Sequence, residues 1–381
     1  MKNITAATLS LSLGLLVLAA CSSGEGPKDE PAQNVITGGW QGQFIGRDET
    51  VAFYPDAYAN YWTFHFEQPA SPIGLRISGD VPKARYFSFN LYNDINFTSV
   101  AALSDQDISI NSGRYEIVVI PESHTMPDAQ NVLTYEAGLI KIALIVRLYV
   151  PEQGISGGVA LPNIEAFDLK TGEPVALPQP TAPKSKPVSI DKIEALVMNK
   201  VGGPLAHNIG GDLRSYRVSS GGLYANKDNQ YLVMPVKHDP DQYAVIRFKP
   251  PGFGQTPADV RYWSLSLGDT KSFNFWTLHD DQATKAPDGF IYVVIGDHAP
   301  KGLAGAYNFR GWQGIDPAVL IYRHLLPQKT YANAFDQVPV LDESQIEAGL
   351  SATQTIGDTA PIGVLVSKET LAEIEDLSSL F

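Results

Sequence analysis

Short runs of alternating apolar and polar residues recur along most of the chain. In the run 86–92, Phe87 and Phe89 fall on one face and Ser88 falls on the other, which is the alternation of a half-buried β-strand. Clusters of Gly, Pro, Asn and Asp separate the runs, as expected for turns. Runs of this kind occupy 61–66, 74–78, 86–92, 115–120 and 142–150, and then 230–235, 244–248, 262–267, 290–295 and 319–326.

These runs form two sets because the chain repeats itself. The matching pairs are 85–91 with 261–267 and 145–151 with 321–327, both at an offset of 176, together with Asp105 and Asp281, Tyr61 and Tyr231, and 118–122 and 293–297. The last pair requires a slip of one residue. A period this long predicts two tandem domains rather than a solenoid.

Many short strands without alternating helices predict an antiparallel fold. We therefore expect an all-β protein with two tandem jelly-roll or β-sandwich domains from an internal duplication, and a few short helices. One helix should run from Ile190 to Val201, with Ser189 as its N-cap and Gly202 as its stop. Another should begin after Ser367. The expected organisation is a signal peptide at 1–20, a flexible tether at 21–36, a first domain at 37–173, a Pro-rich linker with a short helix at 174–203, a second domain at 204–340 and a C-terminal helical extension at 341–381.

The N-terminus has the pattern of an export signal. Lys2 precedes an apolar run that ends in Leu18-Ala19-Ala20-Cys21, and this run is too short to span a membrane as a helix. The closing four residues resemble the lipobox of bacterial lipoproteins. The resemblance implies cleavage before Cys21, a diacylglycerol on its thiol and an acyl chain such as palmitate on its amine. The alternative is an ordinary secretory signal that happens to contain a cysteine.

Charge and cysteine content narrow the possible partners. In bacterial lipoproteins, an Asp directly after the modified cysteine implies retention at the inner membrane. The residue at this position is Ser22, so the lipobox resemblance implies the outer membrane, with the body in the periplasm. The net charge is −13, with 28 basic and 41 acidic residues, and no basic run is interleaved with aromatics. This excludes a typical nucleic-acid-binding surface. Cys21 is the only cysteine, so no intramolecular disulfide can form.

Three segments of the body carry a family resemblance. The segments 85–92, 147–151 and 157–162 (RYFSFNLY, RLYVP and GGVALP) resemble a bacterial family of uncharacterised proteins built from two tandem β jelly rolls. The resemblance covers roughly residues 50 to 340. It implies the fold, and it implies no particular chemistry.

Arginines that occur in both repeats are candidate ligand-binding residues. Arg85 and Arg147 in the first repeat correspond to Arg261 and Arg323 in the second. A guanidinium group suits bidentate recognition of carboxylate or phosphate. The competing interpretation is that each arginine pairs with an acid at a strand end and serves the fold that both repeats share.

Histidines beside carboxylates are the candidate catalytic residues. His238, His279 with Asp280, and His298 all belong to the second repeat or border it, and each could contribute a general base. Their spacing matches no zinc signature, so no metal and no cofactor is predicted.

Two functions remain open at this stage. The first is a membrane-anchored lipoprotein whose jelly-roll body binds a small molecule or an envelope protein. The second is a periplasmic hydrolase or lyase acting on a glycan or lipid-like substrate through histidines and aspartates of the second domain. Convergence of His238, His279 and His298 in one pocket would favour the enzyme.

Overall fold

The protein is represented by a computed structural model. It describes residues 39–46, 53–71, 73–178, 189–208, 211–219, 222–254 and 258–381. The predicted signal peptide, Cys21 and the tether lie outside these residues. All the described residues belong to one compact unit.

The first half of the described chain forms two five-stranded sheets. Its strands are β1 (Gly42–Ile45), β2 (Ala59–Glu67), β3 (Ile73–Asp80), β4 (Ala84–Asn93), β5 (Thr98–Ser104), β6 (Arg114–Pro121), β7 (Val132–Tyr135), β8 (Lys141–Pro151), β9 (Asn163–Asp168) and β10 (Pro174–Val175). The sheets have the orders β1-β2-β8-β4-β5 and β10-β9-β3-β6-β7. A core of alternating strand residues, including Trp62, Phe64 and Phe89, fills the space between them.

The second half forms a sandwich of nine strands. They are β11 (Asp212–Arg214), β12 (Asn229–Val236), β13 (Gln242–Phe248), β14 (Tyr262–Asp269), β15 (Asn274–His279), β16 (Ile291–Gly296), β17 (Asn308–Gly311), β18 (Ala318–Leu325) and β19 (Ile362–Ser367). The orders are β12-β18-β14-β15 and β11-β19-β13-β16-β17. The helices are α1 (Ile190–His207), α2 (Glu343–Glu347), α3 (Thr353–Ile356) and α4 (Lys368–Glu373). The expected all-β fold of antiparallel sandwiches with few short helices is confirmed.

Strand order and register show the internal duplication directly. The order β2-β8-β4-β5 recurs as β12-β18-β14-β15, and the edge pairs β6-β7 and β16-β17 are both parallel. Arg147 lies between Tyr61 and Ser88 on neighbouring strands. Arg323 lies in the same way between Tyr231 and Ser264.

One detail of the sequence alignment is wrong. The predicted slip of one residue would align Val118 with Val293, yet Val118 faces away from the sandwich core and Val293 faces into it. Successive strand residues point to opposite faces, so a slip of one residue exchanges the faces. The carbonyls of Glu116 and Tyr292 occupy equivalent positions, which restores the offset of 176.

The sheets β1-β2-β8-β4-β5 and β12-β18-β14-β15 face each other, and we call them the inner sheets. Tyr149 of the first packs edge-on against Tyr262 of the second, with ring centroids 5.4 Å apart. The polar face of β4 is therefore buried as well, and Ser88 and Asn90 are both 0% exposed. Because the inner strands are covered on both sides, alternation in the sequence separates two buried environments rather than core from solvent.

Helix α1 is longer than the sequence predicts. Gly202 was expected to stop it, but the helix continues to His207 with Pro204 inside it. Val197, Val201 and Pro204 are buried, and their packing offsets the cost of two glycines, about 1 kcal/mol each. Ser189 is the N-cap residue, although its side chain makes no capping hydrogen bond.

The C-terminal segment is only partly helical. Helix α4 begins after Ser367 as predicted, and the Ser367 side chain accepts a hydrogen bond from the Thr370 backbone N–H. Strand β19 was not predicted, and it lies between β11 and β13 in the outer sheet of the second sandwich. The extension therefore supplies a strand to that sandwich. In the part of the chain that the structure describes, no helix is both long and apolar enough to cross a membrane.

Candidate functional site

A short segment ahead of the first long strand of each sandwich lies against the other sandwich. Residues 53–58, which we call the first crossover segment, precede β2 and contact the second sandwich. The Tyr54 backbone N–H donates to the Ser272 carbonyl at 2.7 Å, and the Tyr54 hydroxyl donates to the Asp269 carbonyl at 2.6 Å. These bonds attach the first half of the chain to a turn of the second half.

Residues 222–228, the second crossover segment, precede β12 and repeat this arrangement in the opposite direction. The Tyr224 backbone N–H donates to the Phe97 carbonyl at 3.1 Å, and the Tyr224 hydroxyl donates to Asp94. Tyr54 and Tyr224 both have positive φ angles, of 49° and 51°, which is uncommon for bulky residues. The two crossover segments thus share the same strained backbone conformation. The first segment contacts the second sandwich, and the second segment contacts the first sandwich.

The first crossover segment carries a buried carboxylate to Arg323. Asp56 is 0% exposed and accepts hydrogen bonds from Arg323 Nη1 at 2.6 Å, from Ser264 Oγ at 2.7 Å and from the Tyr262 hydroxyl at 2.8 Å. A buried ion pair requires excellent geometry and extra hydrogen bonds to offset its desolvation. This pair has both, because Asp56 also accepts hydrogen bonds from Ser264 and Tyr262. The acid comes from one half of the chain and the arginine from the other.

Arg147 occupies the equivalent position in the first sandwich but has no such partner. Its Nη2 donates to the Tyr224 carbonyl at 2.7 Å, just as Arg323 Nη2 donates to the Tyr54 carbonyl at 3.1 Å. The residue that corresponds to Asp56, at an offset of 170, is Asn226. No carboxylate pairs with Arg147 among the described residues, and its Nη1 is buried without a hydrogen-bond partner.

The local geometry supports the equivalence of Asp56 and Asn226. The Asp56 side chain accepts from the Tyr58 backbone N–H at 2.9 Å, and the Asn226 side chain accepts from the Asp228 backbone N–H at 3.2 Å. Both side chains close the same turn. The difference between them is one negative charge.

Aromatic rings form the remaining surroundings of Arg147. Its guanidinium carbon lies 5.6 Å from the ring centroid of Tyr61 and 5.3 Å from that of Tyr92. Burial raises the pKa of each phenol to about 12, so both are neutral near pH 7. Arginine stays charged in proteins. Cation–π contacts stabilise this charge, but they supply no counter-ion.

Arg147 forms part of the wall of a pocket between the inner sheets. The pocket has a volume of about 610 Å³, and the two crossover segments and helix α1 complete its wall. This volume is in the range of small-molecule sites. Apolar side chains from both halves contribute most of the surface, among them Phe44, Phe53, Ile145, Val201, Val233 and Ile321.

The cationic side chains of the pocket wall are Lys200, Arg217, Arg147 and Arg323, and no Asp or Glu is found in the described part of the wall. His65 also lines the pocket, with its Nδ1 3.1 Å from Asp94 Oδ2. Lys200 donates to Ser219, and Arg217 donates to backbone carbonyls. These oxygens are neutral, so Lys200 and Arg217 add positive charge to the wall beside Arg147, although the whole chain has a net charge of −13.

The other pair of candidate arginines serves the contact between the halves. Arg85 donates to Asp280 at 2.5 Å and also bonds Asp281, both in the second sandwich. Arg261 donates to Asp105 of the first sandwich at 2.7 Å. Both ion pairs cross between the sandwiches, and each acid directly follows the end of a strand, β15 for Asp280 and β5 for Asp105.

His279, Asp280 and Asp281 lie together, with possible ligand atoms within 4.8 Å of one another. Arg85 already bonds both carboxylates, and Asp280 also accepts from the Trp263 backbone N–H at 3.1 Å. The Arg85 guanidinium therefore occupies the position that a metal cation would take. We interpret the three residues as an ion-paired group at the end of β15.

The candidate histidines are not gathered in one pocket. His279 ends β15, whereas His238 follows β12 at the opposite end of that inner sheet. His238 lies 3.2 Å from Asp297, and His298 is exposed. Within the described residues these histidines therefore do not assemble the constellation on which the enzyme hypothesis depends.

Sequence reasoning singled out Arg147 and Arg323 but missed what distinguishes them. The pairing of Tyr61 with Tyr231 contained the signal. Extended five residues toward the N-terminus, that alignment places Asp56 opposite Asn226. The apolar members of the pocket wall gave no signal, because they belong to surfaces that only the packing of the two halves brings together.

One comparison with a solved structure agrees with the fold. A crystal structure of an uncharacterised protein from Burkholderia cenocepacia matches with a TM-score of 0.56 and 14% identity, over 87% of this chain and 83% of that one. A protein from Vibrio parahaemolyticus matches with a TM-score of 0.42 and 12% identity, over 81% of this chain and 89% of that one. No protein-family model and no curated protein matches the chain. The first likeness extends to the fold alone.

Proposed function

We propose that this protein is a lipid-anchored binding protein of the bacterial cell envelope, which holds a small, mainly apolar molecule between its two sandwiches. The observation that carries the proposal is the pocket of about 610 Å³, lined by apolar side chains from both halves. Soluble proteins seldom leave such a surface open without a ligand, since its exposure to water is unfavourable.

The reciprocal crossover segments support this interpretation. They contribute Tyr54 and Tyr224 to the pocket wall, and hydrogen bonds to the opposite sandwich anchor both residues. A wall held in place from two sides is preorganised, which lowers the entropic cost of binding.

The sequence supports the location. Leu18-Ala19-Ala20-Cys21 closes an apolar run in the manner of a lipobox. Acylation of Cys21 would hold the chain at the membrane, and Ser22 favours the outer membrane, facing the periplasm.

A neutral fluorescent probe tests the pocket. Since all the described residues belong to one compact unit, the lipid-free body is produced without its first 21 residues for this test. N-phenyl-1-naphthylamine should bind it at one site with enhanced fluorescence. Val218→Phe should weaken binding tenfold or more, because Val218 lines the pocket.

Val175→Phe is the matched control, since Val175 is an exposed residue of β10 outside the pocket wall. It should leave the affinity for the probe unchanged. Absence of saturable binding, or an equal effect of both variants, would refute the proposed pocket. Native mass spectrometry of the same body should also reveal a co-purified small molecule.

Substitution of the lipidated residue tests the anchor. Cys21→Ser should abolish labelling by radioactive palmitate and leave the protein either uncleaved or released from the membrane. Ser22→Ala keeps the thiol and should retain the label. Normal processing and membrane retention of Cys21→Ser would overturn the lipoprotein assignment.

A further inference from the structure

The two arginine sites are equivalent in backbone and differ in charge. At Arg323 the other half of the chain provides Asp56, so the pair is neutral, and both Nη1 and Nη2 of Arg323 donate hydrogen bonds while Nε has no partner. At Arg147 the same place holds Asn226, so no carboxylate of the described residues forms an ion pair with the guanidinium group, and its Nη1 is buried without a hydrogen-bond partner. The charge that one site contains is missing from the other.

An unpaired buried charge is unfavourable. Leaving a buried donor unsatisfied costs about 1–3 kcal/mol, and more when the group is charged. Arg147 is 4% exposed, and Tyr61 and Tyr92, whose rings lie beside its guanidinium group, are neutral. A bound anion would satisfy Nη1 and neutralise the guanidinium at once.

We propose that the pocket binds an apolar monocarboxylate, with its carboxylate against Nη1 of Arg147, where it provides the negative charge that Asp56 provides at Arg323. This inference rests on the proposed binding function and specifies the chemical class of the ligand. Lys200 and Arg217 add positive potential to the same wall, and the apolar side chains around them accept the hydrocarbon or aryl body.

The number of unpaired donors favours a single negative charge. Nη2 of Arg147 already donates to the Tyr224 carbonyl, and Arg323 is neutralised by Asp56. One buried guanidinium group therefore remains to be balanced. A phosphate dianion would bring a second charge into a wall of tyrosines and aliphatic side chains, where its desolvation would be costly.

Matched ligands separate this inference from the proposed pocket. Dodecanoate and dodecanol share a chain and differ in the head group, and both can be titrated against bound N-phenyl-1-naphthylamine. The wild-type body should bind dodecanoate at least tenfold more tightly than dodecanol. Arg147→Met, which removes the charge and keeps an apolar stem, should bind dodecanoate and dodecanol with equal affinity, each measured by displacement of the probe from that variant.

Asn226→Asp provides the complementary variant. It supplies the missing carboxylate from within the protein, so the preference for dodecanoate should disappear although Arg147 is intact. The same variant should raise the melting temperature of the empty protein. Arg114→Met, at an exposed ion pair with Asp80, is the control and should keep the tenfold preference.

The outcomes are distinguishable. Probe binding with equal affinities for dodecanoate and dodecanol would overturn the monocarboxylate inference and leave the pocket standing. Tighter binding of dodecyl phosphate than of dodecanoate would also overturn it. Absence of probe binding would overturn the proposed function itself. A preference that survives in Arg147→Met would remove Arg147 from the site.

Discussion

A single residue, Asp56, joins the two halves at their most buried polar contact. It lies in the first half of the chain, yet its carboxylate bonds Arg323, Ser264 and Tyr262 of the second. The stability of the second sandwich therefore depends on a residue that precedes each of these three partners by more than 200 positions.

Asp56→Asn should lower the free energy of unfolding by about 3 kcal/mol or more, because removal of one partner leaves a buried charge unpaired. Urea denaturation measures this difference. Asp80→Asn removes a carboxylate from the exposed ion pair with Arg114 and should cost less than about 1 kcal/mol. Equal effects of the two variants would contradict the assigned role of Asp56.

His324 makes the second sandwich sensitive to acid. Both ring nitrogens lack hydrogen-bond partners among the described residues, and the ring stacks on Phe335 with centroids 3.7 Å apart. Burial lowers the pKa of His324 well below its usual value. The folded state therefore binds fewer protons than the unfolded state below about pH 6.5, and stability falls as the pH falls.

His324→Leu, which restores the residue type of its counterpart Leu148, should flatten this dependence. Between pH 7 and pH 5 the wild type should lose up to about 2 kcal/mol more than the variant. Chemical denaturation at both pH values tests the difference. His298→Gln alters an exposed histidine and should leave the slope intact, whereas a wild-type slope in His324→Leu would disprove the role of burial.

At the scale of elements, hydrophobic pattern predicted the long central strands and missed most of the shorter ones. All ten strands expected from alternation are present among the nineteen of the described chain. The other nine were missed, because runs of two to seven residues carry too little periodicity to be distinguished from loops; they are the edge strands β1, β5, β7, β10, β11, β15 and β17 and the internal strands β9 and β19. Gly202 was misread as a stop, since burial of Val201 and Pro204 overrides the local preference.

Gly202 itself provides a test of this interpretation. A Cβ at this helical position would meet no atom within 4 Å, so Gly202→Ala should raise the free energy of unfolding by about 0.5–1 kcal/mol. Thermal unfolding measures the gain. Gly74→Ala is the contrast, since its Cβ would lie 2.3 Å from the Phe167 ring, and it should destabilise the protein. A helix that ended at Val201 would show no gain from Gly202→Ala.

At the scale of the whole molecule, two sandwiches share a buried face. Ion pairs of Arg85 and Arg261, the tyrosine contacts and both crossover segments all link the halves. The duplication could be predicted from the sequence, because matching segments of the two halves are separated by the same number of residues. The pocket could not, because its wall exists only where the inner sheets meet.

A cut between the halves should leave them together. With a protease site inserted between residues 178 and 189, the cleaved body should elute from a gel-filtration column as one species of unchanged size and separate only in denaturant. Uncleaved protein is the control. Separation of the fragments in buffer would show that the reciprocal contacts do not hold the halves together.

The reciprocal crossover has the geometry of a domain-swapped dimer, but here one polypeptide contains both partners. In an assembly of two identical subunits, every substitution appears twice, so Asp and Asn could never occupy the two equivalent positions at once. A single continuous chain removes that restriction. Asp56 can then hold the two halves together through Arg323, while the equivalent residue, Asn226, leaves Arg147 available to a ligand.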